Sequence, residues 1–153
     1  MVINNITIKK LGKSDINKIL QIEKSQNVTI LKETVILDDM SNSNNTLYFG
    51  AIYNDIIVGY IAITYVIDTI DILSIVTMKN YENVGVATLL LEYIFNFAKK
   101  NNVNKIFLEV RTSNTKAINL YEKNNFKLIS KRKNYYTDTK EDALIYLKEI
   151  KKI

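Results

Sequence analysis

Two apolar runs rich in β-branched and aromatic residues, LYFGAIY (47–53) and IIVGYIAITYV (56–66), stand on either side of Asn54-Asp55. Such runs, broken by a pair of residues that tolerate a tight turn, read as a β-hairpin. A third β-rich segment, residues 71–78, completes an antiparallel meander. The middle of the chain is therefore sheet, and everything else must be arranged around it. At 153 residues, with 47% hydrophobic and 24% charged side chains, the chain is expected to form one domain spanning 1–153, with a core of ordinary size and no extended disorder.

Before the meander, Val2, Ile6 and Ile8 mark an opening strand. Ser14 is the expected N-cap of a helix carrying Ile16, Ile19, Leu20 and Ile22 at helical spacing. Residues 28–41 predict a second, weaker helix, and SNSNN (41–45) is a polar loop rather than a linker. After the meander, a loop containing Gly85 leads into about four turns of helix with Leu89, Leu90, Ile94 and Phe97 inward. KIFLEV then forms a strand with Ile106, Leu108 and Val110 on one face and Phe107, Glu109 and Arg111 on the other. Asn114 can cap a helix running through Ala117, Ile118, Leu120 and Tyr121, and Asn125 suits the left-handed position at its end. FKLISKR and DALIYLKEI close the chain as strands flanking the loop KNYYTDTKE. The expected fold is α/β of the α+β type, in the order β-α-α-β-β-β-α-β-α-β-β.

Composition narrows the chemistry. Without cysteine there are no structural disulfides, thiolate metal sites or cysteine nucleophiles; without histidine there is no serine–histidine triad, no histidine-ligated zinc and no imidazole base. Carboxylates, tyrosines, lysines and backbone amides remain. The N-terminus shows no basic leader followed by an apolar stretch, and no run reaches the roughly 18 apolar residues that span a bilayer, so a cytoplasmic protein is expected. Residues 1–122 carry twelve basic and twelve acidic side chains, so the net charge of +5 lies wholly in the last 31 residues. That tail reads as a solvated lysine face or as a surface for an anionic partner.

Two groups of residues can carry chemistry. The loop from Tyr81 to Thr88 precedes a helix whose first N–H groups point outward unpaired at the positive end of the helix dipole. Small residues there, such as Gly85 and Ala87, let a pyrophosphate approach the main chain, although the same sequence also suits a plain turn. Neither G-x-x-x-x-G-K-[ST] nor G-x-G-x-x-G occurs. The second group is Glu109 with Tyr121, on a strand and the helix that follows it. A carboxylate that accepts a proton and a phenol that gives one serve acyl transfer to an amine. The alternative makes Glu109 an exposed residue paired with Arg111 or a lysine, and Tyr121 a core aromatic.

Residues 71–146 resemble the GNAT superfamily of acetyl-CoA-dependent N-acetyltransferases, and within it the ribosomal-protein alanine N-acetyltransferase branch. The branch's cofactor loop [RQ]-x-x-G-x-[GA] has its counterpart in ENVGVA, and L-E-V-R-x-S-N-x-x-A-I-x-L-Y-x-x-x-G-F in LEVRTSNTKAINLYEKNNF. The R-x-x-Y-Y and E-D-A elements recur as Arg132 to Tyr136 and Glu141 to Ala143. The resemblance implies the GNAT fold, a central mixed and mostly antiparallel sheet flanked by helices. It places Glu109 on the family's general base, Tyr121 on its general acid and Asn114 on a cofactor contact. It also places Ile75, Val76 and Thr77 on the splayed strand that holds the pantetheine arm, and Asn83, Val84, Gly85, Val86, Ala87 and Thr88 on the pyrophosphate loop. Acetyl-CoA would be the cosubstrate, with no metal, and transfer would be direct, within a ternary complex. The acceptor would be a protein N-terminus, a ribosomal protein being one candidate, with neither membrane nor direct nucleic-acid binding expected.

Three departures stand out. Glu82 occupies a glutamine or arginine position and Asn83 a position where arginine is common, Asn125 replaces a glycine, and residues 25–35 lack the branch's aromatic and proline residues. Two other readings remain open: a GNAT enzyme acting on a small amine or a lysine side chain, and a non-catalytic module binding RNA or the ribosome. A substrate panel separates the first, and a salt-dependent gel shift beside a coenzyme A titration separates the second.

Overall fold

The computed structural model describes residues 4–28 and 30–151, which leaves Val2 outside the described residues. Strands β1 (Thr7–Lys10), β2 (Thr46–Tyr53), β3 (Ile56–Val66), β4 (Thr69–Thr77), β5 (Lys105–Arg111), β6 (Lys127–Arg132) and β7 (Ala143–Glu149) alternate with helices α1 (Ile16–Ser25), α2 (Glu33–Asn42), α3 (Val86–Lys100) and α4 (Thr115–Lys123). The order of elements is the one the sequence predicts. They build a seven-stranded sheet in the order β1-β2-β3-β4-β5-β7-β6. All neighbours are antiparallel except β4 and β5.

Turn chemistry sets the hairpin. Asn54 and Asp55 both hold left-handed φ angles, 48° and 63°, the combination that matches the twist of a two-residue connection. The sheet is covered on both faces. On one, α1 and α2 close over Tyr48, Tyr60, Ala62 and Val76. On the other, α3 and α4 bury Ile61, Ile63, Ile72, Leu108 and Tyr146.

Local details differ from the sequence reading where a tertiary contact overrides propensity. Ser14 does not cap α1; it lies within a 3-10 turn at Lys13–Asp15, and Asp15 accepts the Gly12 N–H at 2.9 Å instead. Helix α2 starts at Glu33 rather than near residue 28. The Ile30 and Leu31 amides donate to the Glu23 carboxylate, which holds that stretch out of helical register. In α3 the buried stripe is Val86, Leu90, Leu91, Ile94 and Ala98, so Leu91 rather than Leu89 is fully inward.

Candidate active site

Strands β4 and β5 pair only along Thr69 to Ile72 against Lys105 to Leu108. Across β3, Ala62 pairs with Ser74 and Ile63 with Ile72, so Leu73 is an extra residue in β4. A bulge of this kind bends its strand and ends pairing. Beyond it β4 and β5 part, and a cleft of about 1260 Å³ opens between them.

The hydrogen-bond phase of β4 decides which of its main-chain groups face that opening. The Met78 N–H donates to the Val58 carbonyl at 2.8 Å, which makes Gly59–Thr77 a pair that exchanges no hydrogen bonds. In an antiparallel ladder the phase alternates. Tyr60 and Val76 therefore exchange theirs, whereas Ile75 and Thr77 turn their N–H and C=O groups away from β3. Ile75 lines the cleft. Val76 does not: its main chain serves the ladder and its side chain lies in the core on the α1 side. The Thr77 carbonyl accepts Gln26 Nε2 at 2.8 Å.

Glu109 and Tyr121 enter the cleft from opposite faces of the sheet. Along β5, Ile106, Leu108 and Val110 are buried while Glu109 is exposed. The Glu109 carboxylate has Arg132 Nη1 at 3.7 Å. Tyr121 belongs to the α3-side core, with its ring edge-on to Phe126 at 5.7 Å, and still lines the cleft. Burial raises its pKa, so the phenol keeps its proton beyond the pH at which an exposed tyrosine ionises. Tyr121 is thus a core aromatic that also lines the cleft. Asn114 lines the same cleft, and its Oδ1 accepts the Ala117 N–H at 3.2 Å as the N-cap of α4.

The sequence did not show how a further group is joined. Arg111 grips Asp138 through both guanidinium ends at 2.9 and 3.0 Å, donates to Thr139 and lies 4.0 Å over the Tyr136 ring. A bidentate pair fixes direction as well as distance. It draws the β6–β7 loop over the cleft, where Tyr135 and Tyr136 form a wall. The sequence placed Arg111 and Tyr136 in family motifs and offered Arg111 as a partner for Glu109, but it did not pair Arg111 with Asp138. Asp71, also in the cleft, has its carboxyl pKa raised by burial and then by the charge of Glu109.

The loop before α3 lies beyond the end of β4 and does not line the cleft. Asn83 and Gly85 take left-handed φ angles of 61° and 95°, and the Val84 and Val86 side chains pack into the core. Gly59 makes that seat possible, because a Cβ there would stand 2.8 Å from Val86 Cγ1 and 3.2 Å from the Val76 carbonyl oxygen. Among the described residues, no atom outside the adjoining residues lies within 4 Å of where a Cβ on Gly85 would point. Open space before the first turn of a 15-residue helix fits a pyrophosphate held by main-chain N–H groups. Ala87 and Thr88 form that first turn, half-buried. Glu82 accepts Gln26 Nε2 at 2.8 Å and pairs with Lys116 of α4, so its charge is offset.

Comparison with known proteins identifies the family to which this fold belongs. The sequence profile of the Acetyltransferase (GNAT) family matches residues 14–126. An N-alpha-acetyltransferase of Saccharolobus solfataricus is 37% identical over 111 residues, 64% of this chain and just under two thirds (66%) of that protein. The [ribosomal protein bS18]-alanine N-acetyltransferase of Escherichia coli K12 is 30% identical over 141 residues, 91% of this chain and 94% of its own. The crystal structure of the ribosomal-protein-S18-alanine N-acetyltransferase from E. coli superposes with a TM-score of 0.88 at 28% identity, covering 97% of this chain and 96% of that one. The chain belongs to the Acetyltransferase (GNAT) family. By class it is an N-acetyltransferase.

Proposed function

We propose that this chain, as one domain spanning 1–153, transfers acetyl from acetyl-CoA to the N-terminal α-amine of a protein, a ribosomal protein being a candidate acceptor. The observation that carries the reading is the meeting of Glu109 and Tyr121 in one cleft, where the β4 main chain has left its ladder. The similarity to enzymes named for α-amine and alanine acetylation supports it. Among the described residues no helix is long and apolar enough to cross a membrane, and a cytoplasmic location is part of the proposal.

Acetyl-CoA would supply an acyl thioester. The N–H groups of the Asn83 to Thr88 loop would hold its pyrophosphate, the outward groups of Ile75 and the outward N–H of Thr77 its pantetheine arm, and Asn114 would contact it beside α4. A protein α-amine has a pKa of about 7.7–8.0 and is mostly protonated at neutral pH; Glu109 removes that proton, directly or through water. The Ile75 N–H donates to the carbonyl oxygen as charge develops on it, a contribution of roughly 2.7–4 kcal/mol for a donor of this kind. Tyr121, neutral at this pH, gives a proton to the departing sulfur, whose thiol pKa is about 8.5, and regains one as the new amide nitrogen loses its second proton. With no cysteine in the chain, transfer proceeds in a ternary complex rather than through an enzyme thioester.

Mass spectrometry of N-terminal peptides after incubation with acetyl-CoA tests the acyl group and the acceptor together. Acetylated α-amines are expected. A product acetylated only on lysine side chains or small amines would overturn the reading.

A further inference from the structure

Glu23, on α1, is 1% exposed, and every polar contact it makes is with a donor. Tyr60 donates its hydroxyl at 2.5 Å, and the Ile30 and Leu31 N–H groups donate at 3.3 Å each. The Tyr60 oxygen lies 2.8 Å from Ser74 Oγ. Since the single Tyr60 proton goes to Glu23, the serine donates to the tyrosine. Among the described residues no lysine or arginine lies within ion-pair distance of the Glu23 carboxylate. Burying a carboxylate without a cation is costly, and a leucine would fill that space at no such cost. What the carboxylate adds is an acceptor for two amides that the loop between α1 and α2 turns inward.

Both ends of this chain of hydrogen bonds reach the cleft. Ile30 lines it from the α1–α2 loop, and Ser74 lines it from β4, directly before Ile75. We propose that Glu23 is a positioning residue for the acceptor: by holding Ile30 and Leu31, and Ser74 through Tyr60, it sets the distance between the wall facing the incoming chain and the strand facing the thioester. The proposal rests on the reading that this cleft receives a protein N-terminus. It assigns Glu23 no contact with either substrate and no proton transfer.

The test uses Glu23→Gln, which keeps shape but replaces an acceptor oxygen with a donor, and Tyr60→Phe, which leaves the loop amides bonded and cuts the link to Ser74. Steady-state kinetics with acetyl-CoA and an N-terminal peptide are set beside hydrogen exchange at the Ile30 and Leu31 amides. In Glu23→Gln, exchange at one or both amides and the KM for peptide should each rise about tenfold, the worth of roughly one hydrogen bond. The kcat and the KM for acetyl-CoA should stay within about twofold, the split that marks lost acceptor binding alone. Tyr60→Phe should raise the peptide KM by about threefold without changing exchange at residues 30 and 31, and it carries the kinetic test should Glu23→Gln fail to fold. Unchanged exchange in Glu23→Gln, or equal changes in the two KM values for either variant, would overturn the proposal. A parent enzyme that acetylates no N-terminal peptide would refute the functional reading instead, and the exchange data would still decide whether Glu23 holds the loop.

Discussion

Phe126 donates its backbone N–H to the Tyr121 carbonyl at 3.0 Å, and the two rings meet edge to face at 5.7 Å. Asn125, at φ 67°, donates to the Glu122 carbonyl at 3.1 Å between them. This is the doubly bonded helix end that a left-handed residue permits, and it fastens the candidate acid to the core through its own turn of helix. Asn125→Gly is expected to keep stability and turnover. Asn125→Val, which forces a β-branched residue into that conformation, should cost about 1–2 kcal/mol and lower kcat with it. Urea melts and kcat measured on the same samples decide the point. A loss of stability without loss of kcat would show that the cap does not seat Tyr121.

Removing the candidate base and acid should leave different signatures. Glu109→Gln is expected to lower kcat/KM at neutral pH by roughly 10²–10⁴-fold with folding intact, and rising pH should partly rescue it as the free amine fraction grows. Tyr121→Phe should reduce mainly kcat and should not be rescued by pH. Because burial raises the Tyr121 pKa, the parent should also keep its acid through pH 10, the region where an exposed phenol ionises. Activity of both variants within about threefold of the parent would remove these roles.

At the cofactor loop, Gly85→Glu introduces a side chain at a left-handed position and a negative charge where a pyrophosphate would lie. Coenzyme A binding, read by calorimetric titration, should be abolished. Glu82→Gln keeps a partner for Gln26 and frees Lys116 from its ion pair, so it should bind coenzyme A as well as the parent or more tightly. Normal binding by Gly85→Glu would displace the site from this loop.

Asp71 gives a pH test with a definite sign. Its raised pKa, due to burial first and Glu109 second, means that the folded state holds the proton more readily than the unfolded chain does. The charged form therefore lowers stability, an effect absent below the unfolded value of about 3.9 and complete above the raised folded value. Asp71→Asn should raise Tm at pH 7 and leave it unchanged near pH 3. Tm curves for the two proteins that stay parallel across this range would refute the shift. The group is more than a third exposed, so the gain should be modest.

What the sequence revealed and what it hid follow from the range of the interactions. Asn54-Asp55, Asn114 and Asn125 were legible because a turn or cap is settled by a few neighbouring residues. Glu109 was legible by the two-residue period of its strand, together with the family motif in which it sits. The parting of β4 from β5 was not, since the extra residue Leu73 is an ordinary strand former and its effect depends on what pairs across β3. Glu23 reads as one more charge on an amphipathic helix until Tyr60, 37 residues away, is found to donate to it. The start of α2 was misread for the same reason. Arg111 needed Asp138 from a loop 27 residues downstream.

A flat run of paired strands has two borders, here β1 and β6. By releasing β4 after Ile72, this sheet acquires a third, enclosed within it. An outer border is a hazard because any extended chain can add to it and recruit more. The enclosed one turns the main-chain N–H and C=O of Ile75 into the cleft, while at Thr77 the carbonyl is already taken by Gln26. On the proposed reading, an extended guest laid in this cleft would meet a strand edge that the two outer borders do not share. Selection of that guest would then start in the backbone, before any side chain is chosen.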